Sequence, residues 1–162
     1  MNSNQSLATV PFVPSLKDVT CLQGSPAIKV LSVESISRQN PFVLPSDCNN
    51  KVFDLFLAHP DVQSIPVLIA RLPVGIISRH ITIERYSQRA WREKNGQRPC
   101  GEYMDCEPLL TDKNTPVHAI GARMVESSHR HMVNGFIITE HGQYHGVGSV
   151  QSLLASVIYT TQ

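Results

Sequence analysis

Apolar residues recur at two periods along this chain, and the two periods alternate. Val52, Phe53, Phe56 and Leu57 stand at helical spacing behind a candidate N-cap, Ser46 or Asp47, and His59-Pro60 ends the run. Ser64 to Ala70 and Val74 to Ser78 are short β-rich runs, and Arg71-Leu72-Pro73 between them predicts a hairpin. From Arg79 to about Lys94 the apolar members Ile81, Ile83, Tyr86 and Trp91 are set among polar residues, an amphipathic stretch that Asn95-Gly96 closes. Upstream, Ile28-Lys29-Val30-Leu31 predicts a strand, and Val33 to Ile36 begins a turn-rich segment ending at Asn40-Pro41. Residues 1–27 carry Pro11, Pro14, Pro26 and Gly24 with short apolar pieces such as Val10 to Val13, and predict a loose arm.

The second half repeats this order. Asn40-Pro41-Phe42-Val43 answers to Glu107-Pro108-Leu109-Leu110, and Ile65-Pro66-Val67 to Phe136-Ile137-Ile138. The helix at Val52 answers to one with Thr115 as N-cap and Pro116 in its first position, running through Val117, Ile120 and Met124. Gly75-Ile76-Ile77-Ser78 answers to Gly146-Val147-Gly148-Ser149, and the helix after Ser78 to a last one carrying Leu153, Leu154, Val157 and Ile158. Each unit reads strand, helix, strand, strand, helix. A unit of ~60 residues buries too little surface to stand comfortably alone, so the two are expected to pack as one body.

Composition narrows the function. With 41% apolar, 17% charged and 6% aromatic residues, the 162-residue chain has the make-up of a globular protein rather than a disordered one. A net charge of +1 gives no field to hold a nucleic-acid backbone or an anionic membrane surface. No apolar run approaches the ~20 residues of a membrane helix, and Met1 to Ser6 has neither part of a signal peptide. Cys21, Cys48, Cys100 and Cys106 form no C-x-x-C pair; reduced thiols and a cytoplasmic location are expected.

The order of motifs resembles a tandem pair of CBS domains, a Bateman module, over about residues 28–160. The first half carries Val33-Glu34-Ser35-Ile36, Asn40-Pro41-Phe42-Val43-Leu44-Pro45, Ile65-Pro66-Val67 and Pro73-Val74-Gly75-Ile76-Ile77-Ser78. The second carries Tyr103-Met104-Asp105, Glu107-Pro108-Leu109-Leu110, Gly135-Phe136-Ile137-Ile138-Thr139 and Gly142 to Ser149, and is similar to the CBS pairs of bacterial cyclic-di-GMP signalling proteins. The resemblance implies an α/β (α+β) fold: an arm over 1–27, a β-α-β-β-α repeat over 28–97, and a second over 98–162, packed about a pseudo-twofold axis. It also implies a non-catalytic regulatory module that takes an adenine nucleotide (AMP, ADP or ATP) in an inter-repeat cleft, requires no cofactor, and signals through a homodimer to an effector protein or domain. The other reading is a degenerate pair acting as a dimerisation or protein-interaction scaffold. On that reading Ile81 and Tyr86 are expected to fill the clefts.

The family's cleft motif is Gly, two apolar residues, Ser or Thr, two variable residues, and Asp. Gly75 with Ser78, and Gly146 with Ser149, match it; the Asp positions hold Ile81 and Ser152. Glycine admits close approach, the hydroxyl donates to a phosphate or ribose oxygen, and Asp accepts from the ribose hydroxyls. Each missing carboxylate is expected to weaken ribose binding by ~1.5–3 kcal/mol. The expected ligand contacts are Ser78, Arg79, His80, Ser149 and Ser152, facing a cleft beside Pro66 and Ile137. Arg79 and His80 at a helix start could serve an anion, while Ser78 and Ser149 read equally as plain helix N-caps. His129 with His131, placed in a loop, and His141 with His145 about a turn lack a cysteine or carboxylate at ligand spacing, so no metal is expected. No G-x-S-x-G, P-loop or dinucleotide fingerprint is present, and no catalytic residue is predicted.

Overall fold

The computed structural model describes residues 30–160. The expected arm, with Ile28 and Lys29 of the expected first strand, lies outside the described residues. Val30 and Leu31 are not strand. Ser32 instead makes an antiparallel bridge with Pro116, and Val33–Ile36 forms a 3-10 turn.

The first repeat contributes α1 (Asn49–Ala58), β1 (Ser64–Ile69), β2 (Leu72–Ser78), α2 (Arg79–Ser87) and α3 (Arg89–Asn95). A second 3-10 turn, Cys100–Glu102, leads into β3 (Leu109–Asp112), α4 (Val117–Glu126), α5 (His129–Asn134), β4 (Phe136–Glu140), β5 (Gln143–Gly148) and α6 (Val150–Thr160). This is the mixed α/β repeat architecture that the hydrophobic pattern predicts. β1 and β2 pair antiparallel from Ser64↔Ser78 to Ile69↔Leu72, with a bulge after Val67. β4 pairs antiparallel with β5 and carries a matching bulge after Ile138, while β3 lies parallel to β4 with Leu109 beside Phe136. The parallel bridge Val43↔Val67 repeats the β3–β4 relation in the first half.

Four boundaries differ from the sequence expectation, each for a local reason. The β1–β2 turn is only Ala70-Arg71, both at positive φ (49° and 68°), so the hairpin is tighter than the Arg71-Leu72-Pro73 connection predicted. The Arg79 to Lys94 stretch breaks at Gln88, whose extended backbone (ψ 109°) separates α2 from α3. His129 and His131 sit on α5 rather than in a loop; Gly135 at φ 75° ends that helix.

Helix starts account for the fourth difference. α1 begins after Cys48, not after Ser46 or Asp47. Asp47 accepts from the Leu44 amide at 2.8 Å and from Lys51 at 2.9 Å, bonds that outweigh its burial and hold its carboxyl below the usual range. The orphan amides of α1 are met from the far half of the chain: Asn49 N donates to Arg98 O (3.0 Å) and Asn50 N to Gly96 O (2.9 Å). α4 repeats the arrangement, its first residue Val117 donating to Leu31 O (2.9 Å), which leaves Pro116 extended outside the helix.

Two cores follow, and each borrows from the other half. Val43, Val52, Phe56, Ile65, Val67 and Ile77 enclose Cys100 of the second 3-10 turn. Leu109, Val117, Ile120, Met124, Phe136, Ile138 and Leu153 enclose Val33 of the first. The segment leading into each repeat is therefore sealed in the core of its neighbour, which makes the two a single body.

Two buried acids set an alkaline limit. Desolvation pushes the Cys100 thiol up to about 11 and the Tyr86 hydroxyl up to about 12, and Tyr86 donates its proton to Asn50 Oδ1 at 2.8 Å. Both folded values exceed the ordinary thiol and phenol values of 9.0 and 10.0. The stability they contribute is thus complete below pH ~9 and lost as pH rises toward ~12. Thermal melts across pH 8–11 should show a falling midpoint from about pH 9, and Cys100→Ala should reduce the slope.

Candidate functional site

The two motif serines are helix caps. Ser78, buried, accepts from Ile81 N at 3.2 Å. Ser149 and Ser152 form a reciprocal capping box: Ser152 N donates to Ser149 Oγ (3.1 Å), and Ser149 N donates to Ser152 Oγ (2.9 Å). Ser152 Oγ also donates to Ser149 O at 2.7 Å. The position where the motif carries an acid thus closes a helix start.

Arg79, expected at an anion, is engaged within the chain. Its Nε donates to Val62 O (2.6 Å) and its Nη2 to Phe56 O (2.7 Å) and His59 O, with the guanidinium 5.0 Å above the Phe56 ring. Phe56 and His59 supply carbonyls from the last turn and C-cap of α1, which a fixed cation stabilises. The side chain ties α2 to α1. His80 is exposed on α2, while Pro66 and Ile137 are buried within their strands. None of these seven residues lines the inter-repeat cavity at the β1–β2 turn.

The motif glycines meet chain rather than an open cleft. A Cβ at Gly75 would lie 2.4 Å from Met104 Sδ and 2.9 Å from Asp105 O. One at Gly146 would lie 1.9 Å from Ser37 Oγ. Both contacts come from inter-repeat bridges, Ile76↔Asp105 and Val147↔Arg38, in which each pair exchanges two backbone hydrogen bonds of 2.8–3.0 Å. Close approach is what the glycines permit, and the approaching group is the linker of the other repeat. Ile81, expected to fill a cleft, is 40% exposed, and Tyr86 instead stacks on Phe53 at 4.1 Å beside α1.

An open cavity of about 480 Å³ lies between the repeats at the β1–β2 turn. It is walled by Asn40, Phe42, Leu68 and Arg71 from the first repeat and by Tyr144 and His145 from the second. Tyr144 N donates to Arg71 O (2.8 Å), pinning the tight turn to β5, and Tyr144 Oη accepts from Asn40 N (3.0 Å). Burial raises the Tyr144 pKa, so this hydroxyl stays protonated at neutral pH. Phe42 is 53% exposed, 6.4 Å from the Tyr144 ring, and offers an apolar face. The exposed Arg71 guanidinium makes no ion pair among the described residues. His145 stands between Glu34 (3.8 Å) and Glu140 (3.7 Å), and Lys113 bridges the same two acids, holding Glu140 below the usual carboxylate range. Sequence reasoning missed this cavity because Arg71 belongs to no motif and because Asn40, Phe42, Tyr144 and His145, which lie within matched motifs of opposite halves, meet only through the packing of the two repeats.

No family profile and no curated protein matches this chain. Solved structures do. CBSX2, a CBS-pair protein from Arabidopsis thaliana, aligns with a TM-score of 0.65 at 17% identity over 80% of this chain and 96% of that one. The chain has the fold of a tandem CBS pair. The CBS domains of a transcriptional regulator from Streptococcus pneumoniae align at 0.62 and 15% identity, over 78% and 98% of the two chains. The CBS domain of a bacterial CNNM/CorC family Mg2+ transporter, solved with ATP, aligns at 0.64 and 13%, over 81% and 89%. CBSX2 also matches in its complex with AMP. Among the described residues no helix is long and apolar enough to cross a membrane, and no three His, Cys, Asp or Glu residues converge as for a metal ion.

Proposed function

We propose that this CBS pair is a non-catalytic regulatory module that senses an adenine nucleotide in the cavity between its repeats. The observation that carries this reading is the juxtaposition of the exposed Phe42 face with the Arg71 guanidinium, which has no ion pair among the described residues, across about 480 Å³. That volume suits a ligand of this size, a base can stack on an aromatic ring, and a guanidinium binds phosphate bidentately. AMP and ATP complexes of similarly folded proteins support the ligand class. A ligand here would touch both repeats and the strained Ala70-Arg71 turn, so its binding would bias how the two halves sit.

The second reading is a scaffold without nucleotide. It is supported by the motif residues themselves, since Ser78, Arg79, Ser149, Ser152, Gly75 and Gly146 all serve contacts within the chain.

Thermal shift of the full chain with millimolar AMP, ADP and ATP separates the two. Sensing predicts ~2.7 kcal/mol of stabilisation at a hundredfold excess over Kd, a rise of about 5–10 °C at this chain length. Arg71→Ala should weaken binding about tenfold or more, and Phe42→Ala should weaken it independently of phosphate number. No shift with any of the three nucleotides would leave the scaffold.

A further inference from the structure

His145 stands where the cavity between the repeats meets a cluster of opposed charges. It lines that cavity from β5, together with Tyr144 beside it and Arg71 from the first repeat. Its Nε2 lies 3.8 Å from Glu34 Oε1, and its Nδ1 lies 3.7 Å from Glu140 Oε2. The two acids come from different places: Glu34 from the 3-10 turn that enters the second core, Glu140 from the end of β4. Lys113, between β3 and α4, reaches both, at 2.6 Å from Glu140 and 3.7 Å from Glu34.

The two charge states of the ring meet this cluster differently. A neutral imidazole carries one N–H, so in either tautomer its other nitrogen turns a lone pair toward a carboxylate. The imidazolium presents an N–H to each acid. Two carboxylates against one ammonium also leave one negative charge beside the cavity, and protonation of His145 cancels it. The other polar groups around the ring do not fill that role. Arg71 belongs to the β1–β2 turn, the Tyr144 hydroxyl stays protonated, and His141 acts on Glu140 from the β4–β5 turn. The His145 side chain is only 26% exposed, so solvent and salt screen these interactions in part.

We propose that the cavity takes up its nucleotide together with a proton, which His145 holds between Glu34 and Glu140. This inference rests on the nucleotide reading above and adds its regulation. A phosphate paired with Arg71 brings negative charge to a cavity whose wall already holds an unbalanced carboxylate. Protonation of His145 removes the imbalance, so anion and proton each favour the other's binding, and by linkage they do so equally. Histidine is the side chain whose charge changes between about pH 5 and 8. The module thereby reads nucleotide and acidity as one signal, gaining affinity for the anion as pH falls.

Calorimetric titration of the full chain with AMP, ADP and ATP at about pH 6, 7 and 8 tests it, in wild type, His145→Gln and His141→Gln. The glutamine keeps a polar side chain at position 145 but cannot be charged. The affinity of wild type relative to His145→Gln should rise as pH falls, by up to about tenfold per unit. That ratio cancels the titration of the phosphate itself. His141→Gln should follow wild type. Glu34→Gln, a change at a half-exposed side chain, should flatten the dependence without loss of fold, which keeps the test open where His145→Gln melts early. Identical pH dependence in wild type and His145→Gln would overturn the proposal and leave the nucleotide reading standing. Loss of the dependence in His141→Gln alone would overturn it too. No binding of any of the three nucleotides at any pH would overturn both.

Discussion

Phe136→Ala should lower the stability of the folded chain by about 3–5 kcal/mol, the usual cost of emptying a phenylalanine site in a close-packed core. At this chain length that is a fall of roughly 6–20 °C in Tm. Phe136 is fully buried on the central strand of its sheet, paired with Leu109 on one side and Gly148 on the other. Its ring lies directly over Gly148, where an added Cβ would come within 2.2 Å of Cζ. Gly148→Val should therefore be destabilising by itself, through overpacking. The double variant should recover part of both losses, because the valine enters the space that the ring has left. A double-mutant cycle read by urea melts should give a favourable coupling of at least ~1 kcal/mol. Strict additivity would mean that the ring and the glycine do not share one volume.

Gly148 illustrates what the sequence could and could not convey. The repeat was legible because its strands read as short β-rich runs, such as the continuous apolar Phe136-Ile137-Ile138, and most helices carry helical spacing, as in Val52, Phe53 and Phe56. The two glycine-hydroxyl motifs were legible as local patterns too. Their partners were not, since Met104 and Ser37 approach Gly75 and Gly146 through bridges between residues of opposite repeats. The same holds for helix starts. Asp47 is a good N-cap by type, yet α1 takes carbonyls from Gly96 and Arg98 and leaves Asp47 to the Leu44 turn. Short α5 carries three exposed or half-buried polar residues in its first turn and has too few apolar positions to show a period. The inter-repeat cavity is assembled from a turn, a linker and β5, elements whose proximity depends on how the repeats pack. Motif reasoning finds conserved-looking spacing within one segment; here the open volume lies between segments.

Arg79→Ala should cost about 1.5–3 kcal/mol in stability without any ligand present, and this separates a structural cation from a phosphate-binding one. Three carbonyls, of Phe56, His59 and Val62, converge on its Nε and Nη2 at the end of α1. The alanine variant leaves those acceptors to water and also removes the guanidinium packed over Phe56; charged hydrogen bonds of this type contribute in the stated range. Arg79→Lys should recover little of the loss, because a single ammonium cannot present two fixed donor positions across the 56–62 segment. A ligand-binding arginine behaves in the opposite way: freed of its phosphate it is a desolvated cation whose removal leaves the apo protein unchanged or steadier. Melting the apo Arg79→Ala and Arg71→Ala variants side by side reads the difference directly. The first should melt several degrees below wild type, whereas Arg71, exposed and without an ion pair among the described residues, should leave the apo midpoint within about 2 °C, the scale of a surface substitution. An apo midpoint unchanged in Arg79→Ala would return that guanidinium to the candidate ligand contacts.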